Sequence, residues 1–333
     1  MEVGSGPVTR VGVRQSGFDP LGPVVRSAQT ASGRTVHFID EGPDTGLPLV
    51  FLGGAGTTVR AFRLMEFARS FREELGIRVI SVERNGLGQT SFDPSVGLNE
   101  YARDVWSLLD LLGVGNASIA AISGGGPYAA HLAAACPERV RSLHLACAYA
   151  ESIGAEGITF DLEPVAADPV SWWTFPEGSA VHRIPGFADS AIEEATRAVF
   201  AQGRDAPPDG LRQAFGFYAQ SPLPDLGRLD APVFTYWGSD DALVPVEHIV
   251  RWRRALHADG PGHGVVERLY DGEGHDVQYR HWDQIMTDVV HLGSKVLLSM
   301  EGGTYLVDAA EAQPLLDSGA THGLAAWQSR PPV

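Results

Sequence analysis

From Val24 onward, short runs of apolar residues alternate with longer stretches in which apolar positions recur at helical spacing. The first two runs, VVRSAQT and RTVHFIDEG, are separated by Ala31, Ser32 and Gly33, which predicts an antiparallel hairpin with a tight turn. LPLVFLGG predicts a strand, Val59 to Leu75 a helix, and IRVISVE another strand. In LNEYARDVWSLLDLLG, Tyr101, Val105, Leu108 and Leu112 share one helical face, with Asn99 as the expected cap. SIAAI then predicts a strand, a helix starts near Gly124, and VRSLHLACAYA predicts the next strand. Apolar strands alternating with helices indicate a mostly parallel α/β sheet with helices on both faces, because right-handed crossovers place them there.

The alternation stops near Glu151 and resumes at APVFTYWG, Ala231 to Gly238. The intervening segment carries Trp172, Trp173, Phe175, Phe187, Phe200, Phe215, Phe217 and Tyr218, many prolines and the helical stretch DSAIEEATRAVFAQ. It reads as a helical lid inserted over the carboxyl edge of the sheet. The core then resumes with helix VEHIVRWRRALH, strand GVVERLY and helix HWDQIMTDVVHLGSK. Beyond it, KVLLSMEGGTYLVD predicts a hairpin turning at Gly302 and Gly303, followed by the helix AAEAQPLLDSG and a last apolar segment, GLAAWQ. This tail reads first as extra core packing, with a sheet-edge extension or a homodimer contact as alternatives. The expected division is an irregular arm over 1–23, a core over 24–150 and 226–333 that includes the C-terminal extension, and a lid over 151–225.

Composition narrows the classes of function. The chain has 333 residues, 44% of them hydrophobic, enough for a substantial core. A formal charge of −16 opposes binding to nucleic-acid phosphates or anionic membrane surfaces. The N-terminus shows no basic segment followed by an apolar stretch, and no apolar run reaches the roughly 18 residues of a membrane span, so a cytoplasmic protein is expected. Cys136 and Cys147 sit in apolar context and read as two buried thiols. No CxxC or HExxH spacing occurs, and neither a metal nor a cofactor is expected. The expected partner is a small-molecule substrate.

Candidate chemistry begins at ISGGGPY. Ser123 lies between a strand and a helix, with Ala121 two residues before it and Gly124 and Gly125 after it, as a nucleophile elbow requires. Small flanking residues are a steric necessity there, and the elbow would direct helix N-terminal N–H groups toward a developing oxyanion. Of the eleven histidines, His275 combines a Gly-rich loop after the last core strand with the right order along the chain. TYWGSDDALVP supplies Asp240 and Asp241; the G-x-x-D-x-x-V-P pattern from Gly238 to Pro245 selects Asp241 as the acid facing His275. FLGGAGTT offers the backbone N–H of Ala55 as an oxyanion donor beside that of Gly124.

With these motifs in place, the stretch from about Val24 to Leu292 resembles the α/β-hydrolase family, serine-nucleophile branch. VERNGLGQTS resembles that family's turn after the fourth strand, with Glu83, Asn85 and Thr90 in place of the commoner Asp, Pro and Ser; Gly53-Gly54 stands where many members have His-Gly. The resemblance implies a mixed, mostly parallel eight-stranded sheet with a lid between its sixth and seventh strands. A serine at the elbow implies acyl transfer to water through a Ser123 acyl-enzyme, and the aromatic residues of the inserted segment, Trp172, Trp173 and Phe175, suggest an apolar ester, lactone or thioester as substrate, since such side chains can line a cleft under a cap. The same triad serves small-substrate aminopeptidases and carbon–carbon bond hydrolases, and a non-hydrolytic binding or cyclase member is an alternative of another class.

Overall fold

Uninterrupted apolar runs in the sequence become the fully buried strands in the middle of one sheet. The computed structural model describes residues 9–10, 22–151, 179–184, 186–201, 208–258 and 264–322. Its strands are β1 (Thr9–Arg10), β2 (Arg26–Gln29), β3 (Thr35–Glu41), β4 (Leu47–Leu52), β5 (Ile77–Val82), β6 (Ala117–Ile122), β7 (Val140–Ala146), β8 (Val233–Gly238), β9 (Val265–Tyr270), β10 (Lys295–Met300), β11 (Gly303–Asp308) and β12 (Thr321–His322). The helices are α1 (Arg69–Glu74), α2 (Leu98–Leu111), α3 (Gly126–Ala135), α4 (Phe187–Ala201), α5 (Asp209–Gln220), α6 (Glu247–Ala255), α7 (Val277–Arg280), α8 (Trp282–His291) and α9 (Ala309–Asp317).

Eight strands form the main sheet in the order β2-β3-β5-β4-β6-β7-β8-β9. β3 pairs antiparallel with both β2 and β5, and every other neighbour pair is parallel. Helix α2 packs on α3 and α1 on α8. In this order the carboxyl ends of β4, β6, β7 and β8 lie side by side, with Leu52 opposite Ala121 and Ile122 opposite Ala146. Loops leaving adjacent carboxyl ends of parallel strands converge, which is where α/β sheets build sites.

Local details depart from the periodic pattern. Val59 to Leu75 is divided into a 3₁₀ segment, Val59–Ala68, and the short α1. Nearly every side chain of the 3₁₀ segment is buried, so it has no exposed face of the kind an amphipathic α-helix presents. The cap of α2 is Gly97 rather than Asn99: the Gly97 N–H donates to the Glu100 carboxylate at 3.0 Å, while Asn99 lies inside the helix and faces His131.

The C-terminal hairpin forms a sheet of its own, ordered β1-β11-β10-β12, instead of extending the main one. Its turn is Glu301–Gly302, at φ 49° and 75°, one residue earlier than the two glycines suggest; both central residues take the left-handed conformation that a two-residue hairpin favours. Part of the N-terminal arm is ordered by this sheet, since Thr9 and Arg10 pair with Leu306 and Tyr305 of β11. The second sheet is anchored to the core through α8: the Gln284 side chain accepts from Leu297 N at 2.8 Å and donates to the Lys295 carbonyl at 3.3 Å. Leu297, 1% exposed, enters the main hydrophobic core. GLAAWQ lies outside the described residues. Leu297→Ala is expected to lower unfolding stability by about 2–5 kcal/mol, as for other buried leucines, read as a drop in urea midpoint at constant m-value.

Candidate active site

β6 ends at Ile122, and the chain reverses through one 3₁₀ turn, Ser123–Gly125, before entering α3. Ser123 adopts φ 48°, a left-handed conformation uncommon for a residue with a side chain. Its carbonyl oxygen accepts from Tyr149 N at 2.8 Å, which fixes the turn against the segment after β7. Glycine is required on its helical side by close approach. A Cβ at Gly126 would stand 1.9 Å from the Tyr149 carbonyl oxygen, and one at Gly124 would stand 2.8 Å from Ala55 N. Pro127 occupies the first turn of α3, where its missing N–H leaves no bond unmade.

The structure brings the three triad candidates together. His275 Nε2 lies 3.0 Å from Ser123 Oγ, and its Nδ1 lies 2.8 Å from Asp241 Oδ2. The other Asp241 oxygen accepts from Leu243 N at 2.9 Å and Val244 N at 2.8 Å. Burial pushes the Asp241 carboxyl pKa up, but the His275 hydrogen bond and charge, with the Val244 N–H and the Cys147 thiol, outweigh it and hold the pKa below the ordinary value. Asp240 is exposed; its N–H donates to the Glu273 carbonyl at 2.9 Å, tying the acid loop to the histidine loop.

Ala55 and Gly124 are neighbours across the cleft, as the Gly124 approach requires. The loop that carries Ala55 is held by Arg84, whose Nη2 donates to the carbonyls of Gly54 and Thr57 at 2.7 and 2.6 Å and to Thr57 Oγ1 at 2.9 Å. Thr57 Oγ1 donates in turn to the Gly54 carbonyl at 2.8 Å. This explains Gly53: a Cβ there would meet Thr57 Oγ1 at 2.4 Å. The other replacements in VERNGLGQTS also have partners. Glu83 accepts from Val59 N at 3.1 Å, Asn85 donates to the Asp93 carbonyl and to Gln213 at 2.8 and 2.9 Å, and Thr90 lies 3.1 Å from His37 Nδ1.

Sequence reasoning missed Arg84, and it read Cys147 only as a buried thiol, which it is; Cys136, expected to be buried as well, is only half-buried at the C-terminal end of α3. Arg84 follows a fully buried strand and is itself buried, a place where an arginine must have acceptors, yet its acceptors lie in a loop about thirty positions earlier. Cys147, the first residue after β7, is fully buried at φ 44°, and its thiol donates to Asp241. Burial first, and then the Asp241 charge, push this thiol's pKa well above its ordinary value. Ligand atoms of Cys147, Asp241 and His275 all lie within 4.8 Å of one another, and among the described residues no other group of three could hold a metal ion.

Helix α5, between β7 and β8 in the chain, lies against the loop that carries Ala55: a Cβ at Gly56 would meet Leu211 Cδ1 at 2.9 Å, and one at Gly124 would meet the Tyr218 hydroxyl at 2.6 Å. Trp172, Trp173 and Phe175 lie outside the described residues. No helix among the described residues is long and apolar enough to cross a membrane.

Residues 48–281 match the family model described as alpha/beta hydrolase fold. The chain is 26% identical over 254 residues to the dihydrolipoyllysine-residue acetyltransferase component of the acetoin cleaving system of Pseudomonas putida; the match covers 71% of this chain and spans only 63% of that protein. It is 30% identical over 253 residues to the magnesium-chelatase 30 kDa subunit of Rhodobacter capsulatus, covering 70% of this chain and 86% of that one. Among solved structures, an esterase from a Rhodococcus species superposes with a TM-score of 0.60 at 18% identity, covering 80% of this chain and 98% of the esterase, a likeness of fold.

Helix α4 reaches the same region through Glu194, a buried acid near Glu83. Glu194 accepts from the Thr58 hydroxyl, and from Thr58 N at 3.3 Å, while Arg63 donates to Glu193 at 2.7 Å. Burial, with repulsion from Glu194, pushes the Glu83 pKa up to about 8 against the attraction of Arg84 and Arg60. Burial likewise pushes Glu194 up to about 7, with the Thr58 bonds, Arg197 and Arg60 opposing. A carboxyl whose folded pKa is raised stabilises the fold below its unfolded value, near 4.5, and that contribution is lost as pH rises to the folded value. Glu83→Gln is therefore expected to gain stability relative to the native chain as pH rises from about 4.5 to 8, by at most about 1.4 kcal/mol per pH unit, and to level off above. Urea unfolding of both proteins across this range checks it; parallel curves would show that Glu83 does not hold a proton in the fold.

Proposed function

The chain belongs to the alpha/beta hydrolase fold family, and from that premise we propose that it is a serine hydrolase acting on an ester, lactone or thioester of an apolar small molecule. The observation that carries this reading is the His275 ring standing 3.0 Å from Ser123 Oγ on one nitrogen and 2.8 Å from Asp241 on the other. Ser123 attacks the substrate carbonyl as His275 takes its proton at Nε2. Asp241 holds the ring in the tautomer that leaves Nε2 free to accept, and stabilises the imidazolium once it forms. The N–H groups of Ala55 and Gly124 hold the oxyanion of the tetrahedral intermediate. His275 then returns its proton to the leaving group, and the acyl-enzyme is hydrolysed by a water that the same ring deprotonates. The steps call for no redox or group-carrying cofactor.

An apolar substrate is favoured by the cover over the site, where Leu211 and Tyr218 of α5 approach Gly56 and Gly124. Apolar walls with a few fixed polar groups select by shape, and excluding water strengthens the oxyanion bonds. The likeness to an esterase agrees with this class of reaction.

A panel of p-nitrophenyl esters, lactones and thioesters is the test. Ser123→Ala is expected to lose turnover on the order of 10³-fold or more and to resist a fluorophosphonate probe that labels the native protein. Asp241→Asn is expected to lose roughly 10⁴-fold in kcat with a smaller change in KM, because the wrong tautomer is stabilised. Turnover that survives in Ser123→Ala would sink the proposal.

A further inference from the structure

We propose that Cys147, Asp241 and His275 together form a binding site for a thiophilic divalent cation such as Zn²⁺, and that the cation switches the hydrolase off. The donor set is a thiol sulfur, a carboxylate oxygen and an imidazole nitrogen, three ligand types that zinc accepts, all within 4.8 Å of one another. They come from three neighbouring strand ends: Cys147 directly after β7, Asp241 in the loop after β8, and His275 in the loop after β9. The backbone holds the sulfur in place, since Cys147 sits at φ 44° with its N–H donated to the Tyr236 carbonyl at 2.9 Å. The sulfur lies within 4.8 Å of both the carboxylate oxygen and the imidazole nitrogen, so a shift of about an ångström brings it into bonding range of a shared ion.

Charge favours the same outcome. A dication with one thiolate, one carboxylate and one neutral imidazole is electrically neutral, so it can occupy a buried place that a lone cation could not. Binding forms Zn–S, Zn–O and Zn–N bonds and releases the thiol proton to solvent; no electron is transferred. Zinc with bond lengths near 2.0–2.3 Å holds its ligand atoms farther apart than the 2.8 Å now separating His275 Nδ1 from Asp241 Oδ2. The ring and carboxylate must therefore open by roughly half an ångström, a shift that the partly exposed His275 can make. Metal bonded at Nδ1 moves the ring proton to Nε2. The nitrogen facing Ser123 then donates and no longer accepts, and general-base catalysis stops. This inhibitory consequence rests on the serine-hydrolase reading; the binding itself does not.

The experiment separates the two. Co²⁺ titrated into the full-length Ser123→Ala protein is expected to give a thiolate-to-cobalt charge-transfer band saturating at one equivalent. The band should persist in Cys136→Ser and be lost in Cys147→Ala and in Cys147→Ser, which keeps a hydroxyl to donate to Asp241 but is a poor zinc ligand. With Ser123 present, Zn²⁺ should half-inhibit the native enzyme at a concentration roughly 10–100-fold below that needed for either Cys147 variant, each referred to its own metal-free rate. Equal zinc sensitivity in all three proteins, or absence of the cobalt band in Ser123→Ala, would overturn the site. A cobalt band together with surviving turnover in Ser123→Ala would instead overturn the hydrolase reading and leave the site standing.

Discussion

A serine held at φ 48° between a buried strand and a helix stores about 1–3 kcal/mol of backbone strain, and the surrounding structure has to hold it there. The restraints are close approaches. Tyr149 donates its N–H to the Ser123 carbonyl while its own carbonyl fills the space where a side chain at Gly126 would stand. Ala55 fills the corresponding space at Gly124. The turn is therefore locked by segments from the ends of β4 and β7, and the orientation of Ser123 toward His275 depends on the strands keeping their order in the sheet.

Around this turn the protein buries charge, and each buried charge is arranged with partners. Arg84 uses one nitrogen to fasten three oxygens of the loop that presents Ala55, and its guanidinium lies 5.2 Å from the centre of the Tyr128 ring. A chain with a side chain at position 53 could not fold the loop this way, because Thr57 occupies that space. Helices α4 and α5 share the same supports: Glu194 of α4 bonds Thr58, and Gln213 of α5 bonds Asn85. Both helices are thereby tied by hydrogen bonds to the segments that flank Arg84 and follow Thr57.

Between the sheet and α8, a polar chain runs through the interior. Ser118 and Ser142 share a hydrogen bond of 2.7 Å, Ser142 meets His144 Nε2 at 2.9 Å, and His144 Nδ1 meets the Tyr236 hydroxyl at 3.0 Å. Tyr236 donates to Asp288 of α8 at 2.9 Å, and Arg268 closes the chain with two bonds of 2.6 Å to the same carboxylate. Burial, with the charges of Arg141 and Arg268, lowers the His144 pKa to about 3, so its ring stays neutral and can donate on one side and accept on the other. Because α8 also carries Gln284, the C-terminal sheet is tied to the strands β7, β8 and β9 that present Cys147, Asp241 and His275.

Much of this was legible in the chain itself. Alternation of apolar runs with helical periodicity is a local property, and it located the strands of the main sheet, most of the helices and the C-terminal hairpin to within a few residues, but it did not show α5 and made a single helix of the segment from Val59 to Leu75. The loops that hold Ser123, Asp241 and His275 were legible for the same reason, since each directly follows a strand whose pattern is unambiguous. Between Asp240 and Asp241 a motif pointed to one, but only the folded loop turns that carboxylate inward and leaves its neighbour exposed. Arg84, Glu194 and Cys147 carry no local signal, because their partners are Gly54, Thr58 and Asp241, distant along the chain and adjacent only once the sheet is assembled. The pairing of Thr9 and Arg10 with β11 is of the same kind: two residues have no period, and the edge they join exists only after the hairpin has formed. Periodicity and turn chemistry thus determined the elements, and tertiary structure decided which polar atoms meet, because a buried polar group is costly unless the fold places a partner beside it.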